Sequence, residues 1–133
     1  KIEGAYCLVI QSRKKMFVIR DRYGIRPLSL GRLSDGGWIV ASETCAFALV
    51  GATFIRDVKP GEMLIFEESC EPVSEQIFEP NYHPCAFEYI YFARPDSIID
   101  GKNVYQMRLQ MGERLAQEAP ADVDLVLPVP DSG

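Results

Sequence analysis

The stretch Ala5-Tyr-Cys-Leu-Val-Ile-Gln-Ser-Arg-Lys-Lys-Met-Phe-Val-Ile-Arg20 decides the fold class. Two runs rich in Val, Ile, Phe and Tyr, at 5–10 and 15–20, flank the polar joint Gln11-Ser-Arg-Lys14. Branched and aromatic side chains suit a pleated, half-buried surface, so two such runs across a short polar joint predict an antiparallel hairpin. The basic cluster Arg13-Lys14-Lys15 then falls at the hairpin tip, where solvated charge needs no ligand. Strands, not helices, open this chain.

The same reading extends downstream. Asp21-Arg-Tyr-Gly-Ile-Arg-Pro27 is a turn set by Gly24 and Pro27, followed by a strand candidate at 28–33. Asp35-Gly-Gly37 is a hairpin signal leading into a strand at 38–41, and the four strands together read as a meander. Ser42 is expected to cap a helix over 43–50, with Glu43 offsetting the dipole and Gly51 at the stop. Strands at 53–58 and 63–66 are expected on either side of the Pro60-Gly61 turn. From 67 to 84 the chain is acidic and proline-bearing, and 76–78 is its only strand candidate, so this part reads as the least ordered.

The pattern changes near residue 100. Asn103 and Gln106 have the spacing of a capping box, and Val104, Met107, Met111 and Leu115 form one helical stripe that Pro120 ends. The run 123–129 is almost continuously apolar, which predicts a parallel strand buried on both faces. The expected class is α+β, with an antiparallel part first and a helix and parallel strand after a boundary near 100.

Composition narrows the function classes. The chain has 133 residues, 47% hydrophobic and 25% charged, as in an ordinary globular domain. A net charge of −5 disfavours nucleic acid, whose phosphates call for a clustered basic surface. No apolar run reaches the ~20 residues of a membrane span, and residues 1–6 lack a signal-peptide layout, so no membrane and a cytoplasmic setting are expected. Cys7, Cys45, Cys70 and Cys85 form no close pair, and the single histidine, His83, completes no zinc set. Buried thiols in a reducing compartment are expected. The chain begins directly before one strand-like run and stops directly after another, so it reads as a piece of something longer.

Chemistry concentrates in Cys85-Ala-Phe-Glu-Tyr-Ile-Tyr-Phe-Ala-Arg-Pro-Asp-Ser97. Phe87, Tyr89, Tyr91 and Phe92 form a dense apolar wall with hydroxyl edges. Phe87 and Tyr91 share a face whether the segment is helix or strand. Arg94 and Asp96 are expected to close the following corner through charge-assisted hydrogen bonds, and Asp21 with Arg26 to hold the earlier turn as an ion pair.

The pieces Gly4-Ala-Tyr6, Asp21-Arg-Tyr-Gly-Ile-Arg-Pro-Leu28, Ala41-Ser-Glu-Thr-Cys45, Pro60-Gly-Glu62 and Phe92-Ala-Arg-Pro-Asp-Ser97 occur in an order and spacing that resembles the amidophosphoribosyltransferase family. The resemblance runs from Gly4 to Gly133. It implies residues 1–84 as the later part of a glutaminase domain, an antiparallel β-sandwich of the N-terminal-nucleophile-hydrolase type. Residues 85–100 would be an interdomain linker, and 101–133 the start of a phosphoribosyltransferase α/β domain. The implied reaction joins ammonia from glutamine to phosphoribosylpyrophosphate, giving phosphoribosylamine, the first committed step of purine synthesis. The first residue here is Lys1, so the family's nucleophilic cysteine is missing, and no catalytic residue is expected in this chain.

The resemblance also implies that Phe87 and Tyr91 line an ammonia channel between the domains; plain packing in an interdomain core is the competing reading. Cys85 matches a 4Fe–4S cluster ligand in one branch of the family, or else is a buried thiol. Ser132, in the loop Pro128-Val-Pro-Asp-Ser-Gly133, is implied to sit near pyrophosphate and Mg. A homo-oligomer is expected. Two rival readings stand beside this one: another type 2 glutamine amidotransferase, such as the hexosamine or asparagine enzymes, and a non-catalytic interaction module on the same β scaffold.

Overall fold

In a computed structural model the described residues are 2–67 and 71–129. The opening hairpin forms as expected: β1 (Cys7–Gln11) pairs antiparallel with β2 (Lys15–Arg20), and the basic tip is exposed. The second hairpin also forms, from β3 (Ser29–Arg32) and β4 (Trp38–Ala41). The two hairpins do not continue as a meander. They belong to different sheets, because β2 takes β6 (Glu62–Glu67) as its other neighbour while β3 takes β5 (Thr53–Asp57). One sheet has the order β1-β2-β6-β7, with β7 at Val73–Gln76, and the other β4-β3-β5. All pairings are antiparallel.

Two sheets arise because each carries one apolar face that needs a partner layer. Val18, Leu64 and Phe66 from the first meet Leu28, Leu30 and Val58 from the second in one buried cluster, with Cys7, Met16, Trp38 and Val40 packed against it. The rings of Trp38 and Phe66 meet across the layers at 6.3 Å between centroids. Burial pushes the Cys7 thiol up to about 11, with the Arg20 charge opposing the rise.

The turn at Pro60-Gly61 shows why glycine is needed. Gly61 has φ +74, and a Cβ there would stand 2.5 Å from the Phe78 carbonyl oxygen. That close approach lets the Gly61 carbonyl accept from both Ile77 N–H and Phe78 N–H. The stretch after it carries no regular element between 77 and 85, yet it is well tied. Asn81, His83 and Cys85 donate their N–H groups in turn to the carbonyls of Arg22, Tyr23 and Ile25, a ladder of alternate residues. Its strand lies at 73–76 rather than the expected 76–78.

The helix after β4 is shorter than expected. α1 spans Cys45–Leu49, capped by Thr44 without a side-chain hydrogen bond, and Glu43 lies outside its first turn. Ser42 does not cap it. Gly51 marks the stop with φ +66. Further on, a short π-helix (Glu88–Phe92) leads into the hairpin β8 (Ile98–Ile99) and β9 (Lys102–Asn103). Asp100 and Gly101 turn it with φ of 49 and 73, the pattern of a type I′ turn. The Asp-Gly pair was the available sequence signal for this hairpin, and sequence reading passed over it.

α2 (Val104–Glu118) begins where expected, with Asn103 Oδ1 accepting from Gln106 N–H at 3.0 Å. Its stripe is only partly covered: Val104 is buried, while Leu115 is 63% exposed. The run 123–129 forms no strand, and Leu125, Val126 and Leu127 lie open to solvent. A doubly buried parallel strand needs neighbours on both edges, and no described residue pairs with this run.

Candidate functional site

The candidate site is the segment 85–97, suspended between the two-sheet half and α2. Its short helix is wound so that Phe87 and Tyr91 stand ring to ring, 5.3 Å between centroids. Both rings are about half exposed, at 49% and 54%. They are brought together as the spacing of four residues predicts, but among the described residues they pack into no core. The opposite side of this helix is buried and anchored. Glu88 is 3% exposed and accepts from Arg26 Nη1 at 2.6 Å. The Arg26 guanidinium also lies 5.1 Å from the Phe92 ring centre. The hydrogen bond to Glu88 and its charge hold Arg26 above its ordinary value.

This corrects the expected pairing of Asp21 with Arg26. Asp21 is fully buried and accepts instead from the N–H groups of Tyr23, at 2.9 Å, and Tyr6, at 3.3 Å. Arg20, also buried, gives three hydrogen bonds to the carbonyls of Arg26, Val58 and Gly24. Buried charge demands partners. Here backbone N–H groups of the turn and of Tyr6 satisfy Asp21, which leaves Arg26 to reach a carboxylate 62 positions away.

Past the helix, Arg94 and Asp96 make the expected corner, with Nε to Oδ1 at 3.0 Å and Nη2 to Oδ2 at 3.1 Å. The pair stands in solvent. The arginine's hydrogen bond and charge hold the Asp96 carboxyl below its usual range. Two stronger ties lie beneath it. Glu43 Oε2 accepts from Arg94 N–H at 2.8 Å and from Ser97 Oγ at 2.7 Å. Arg108 of α2 donates to the carbonyls of Tyr89 and Ala93, both at 2.7 Å. Tyr89 Oη donates to the Ile99 carbonyl, and Tyr82 hydrogen-bonds Asp100. Burial, then the bond to Asp100, raises the Tyr82 phenol well above its ordinary value.

Sequence reading missed Glu88, Arg108 and the reach of Glu43. No local pattern could have shown the last, because its partners lie 51 and 54 positions away. Glu62 was legible. It alternates with Leu64 and Phe66 in β6, so it points into the core, where it accepts from both Arg56 Nη atoms, Lys59 N–H and Ser74 Oγ.

Chemically, the segment offers an apolar wall with two phenols, Tyr91 and the Ile99-bound Tyr89, and its buried acid is paired with an arginine. Cys85 is half-buried, and its N–H is spent on the Ile25 carbonyl. Among the described residues no three His, Cys, Asp or Glu side chains are gathered to hold a metal ion, so Cys85 supplies one thiolate where a 4Fe–4S cluster takes four. Those residues do not by themselves fit a cluster. Ser132, Cys70 and the end of the loop at 130–133 lie outside the described residues. No helix among the described residues is long and apolar enough to cross a membrane.

Two antiparallel sheets packed face to face, extended by an aromatic segment, define the class. Residues 1–82 match the model of the glutamine amidotransferase domain, and the chain belongs to that family. Over nearly its full length it is similar to amidophosphoribosyltransferases. It is 48% identical over 132 residues to that of Mycobacterium tuberculosis, covering 99% of this chain and 25% of the relative. To that of Bacillus subtilis it is 48% identical over 133 residues, covering 98% and 27%. The chloroplastic amidophosphoribosyltransferase 1 of Arabidopsis thaliana is 46% identical over 135 residues, covering 100% and 24%. Among solved structures, glutamine phosphoribosylpyrophosphate amidotransferase from B. subtilis, complexed with ADP and GMP, superposes with a TM-score of 0.93 at 49% identity. That match covers 98% of this chain and 28% of the other. The chain therefore spans about a quarter of the length of the curated relatives it matches.

Proposed function

We propose that these residues belong to an enzyme that hydrolyses glutamine to glutamate and ammonia, then adds that ammonia to phosphoribosylpyrophosphate. The second step forms phosphoribosylamine and releases pyrophosphate. In this reading the two sheets are the later part of the glutaminase half, 85–100 the linker, and α2 with 123–129 the opening of the phosphoribosyltransferase half. The glutamine nucleophile and the phosphoribosyl-binding loop are assigned to parts of the whole protein other than these residues. The setting is cytoplasmic.

The observation that carries the reading is the placement of Phe87 and Tyr91. Their rings stand side by side on a helix whose back is locked to the sheets by Arg26–Glu88 and whose end is held by Arg108 from α2. Ammonia must stay unprotonated to act as a nucleophile and must not escape to bulk water, so a fixed apolar wall between two reaction centres serves it. Phe87 and Tyr91 are assigned that role. Cys85 is assigned no step. A magnesium ion, if held near Ser132, would screen the pyrophosphate charge.

Tyr91→Ala in the intact protein tests this. Glutamate release should persist, while the phosphoribosylamine formed per glutamate falls and synthesis from added ammonia is kept. Equal loss of glutamine- and ammonia-dependent synthesis would reduce the pair to packing.

A further inference from the structure

Glu43 and Thr44 lie between β4 and α1, where a helix start would normally claim their side chains. Neither side chain caps a backbone N–H of α1, and Glu43 touches that helix only through the Cys45 thiol, which donates to its Oε2 at 3.8 Å. Thr44 occupies the cap position without a cap hydrogen bond, and its Oγ1 accepts instead from Ile98 N–H at 2.8 Å. Glu43 sends one carboxylate oxygen to Arg94 N–H and to the hydroxyl of Ser97, which is fully buried. Two consecutive residues of the two-sheet half thus grip the corner at 94, 97 and 98.

That corner sets both neighbouring elements. The Ser97 carbonyl accepts from Val104 N–H at 3.0 Å and the Pro95 carbonyl from Tyr105 N–H at 3.1 Å, so the first donors of α2 end on it. Just before it, Ala93 ends the aromatic helix and accepts from Arg108. A shift of the corner therefore moves the exit of the aromatic helix and the entry of α2 together. Carboxylate acceptors make shorter and stronger hydrogen bonds than neutral ones, and removing this one strands a buried hydroxyl.

We infer that Glu43 is a positioning residue that fixes the corner 94–98 against the two-sheet half and so keeps ammonia release coupled to its use. The inference rests on the function proposed above. Glu43 touches neither substrate nor the aromatic rings; it acts through Arg94 and Ser97.

The test is the phosphoribosylamine formed per glutamate released by the full-length protein, with ammonia-dependent synthesis measured alongside. In Glu43→Ala the ratio should fall about tenfold while synthesis from saturating ammonia stays within about twofold, since small misplacements cost transfer steps heavily. Ser97→Ala, which removes one of the two bonds, should lower the same ratio by less, and it decides the matter if Glu43→Ala does not fold. An unchanged ratio, or equal loss of both syntheses, in the variant that folds overturns the inference. Unsubstituted protein without glutamine-dependent synthesis overturns the functional reading and this inference with it, a failure separable from the first because no variant is involved.

Discussion

The two-sheet part and the part from residue 85 onward handle charge and apolar surface in opposite ways. In the sheets, Val18, Leu64 and Val58 are fully enclosed and Glu62, 1% exposed, sits among them with every partner supplied. Among the described residues after 85 the buried apolar cluster is Ala93, Ile99 and Val104, with Tyr89 against it. Most of that part's large apolar side chains face outward, from Met111 at 39% to Val126 at 77%. What holds it is the Arg26–Glu88 ion pair together with backbone N–H groups accepted by Glu43 and Thr44 and carbonyls bonded by Arg108. The contrast separates a part that stabilises itself by burial from one that is positioned by polar ties.

The sharpest way to break that contrast is to cut one leucine from each part. Leu64→Ala should cost this chain about 2–5 kcal/mol, as enclosed leucines do. Leu115→Ala should stay within about 0.5 kcal/mol. Urea midpoints with unchanged m-values measure both. Equal losses would erase the distinction.

A middle-sized effect is expected at Glu62. Burial alone would raise its carboxyl, but hydrogen bonds from Arg56, Ser74 and Lys59 outweigh it and hold the carboxyl below the ordinary 4.5. A depressed folded value means stability present above 4.5 and lost as pH falls through the folded value. Glu62→Gln should cost about 2 kcal/mol at neutral pH, the lower end for a buried pair because Arg56 keeps much of its surface in water. The gap between the two proteins should close in acid. A gap that stays constant from neutral pH down into the acid range would show that shape, not charge, is what Glu62 provides.

The smallest effect belongs to the corner pair. Asp96→Ala should leave the thermal midpoint unchanged and insensitive to added salt, because both partners stand in solvent and Glu43 holds the corner from below. A clear loss of stability would mean that the ties after residue 85 are shared with surface charge.

Local readings held where local physics decides. The hairpins at 7–20 and 29–41, the Gly51 stop and the Asn103 cap all rest on residues within a few positions of one another. Readings that needed a distant partner did not. Arg26 left nearby Asp21 for Glu88, and the run 123–129 found no strand to pair with. The Ser42 cap failed for a local reason, since the helix starts at Cys45 with Thr44 in the cap position. Phe87 and Tyr91 met because helix and strand geometry both put them on one face, whereas their exposure could not be read from spacing.

The sequence by itself determined the opening strands and their turns and which side chains share a face. It also set the family, through motifs whose order survives without any structure. Only the tertiary structure decided that the two hairpins part into separate sheets, that Arg26 meets Glu88, and that Glu43, outside α1, holds Arg94 and Ser97. The reason is physical. Backbone torsions and alternation are settled within a few residues. A buried charge or a hydrogen-bond acceptor takes whichever partner the packed chain brings within about 3 Å, wherever that partner lies in sequence.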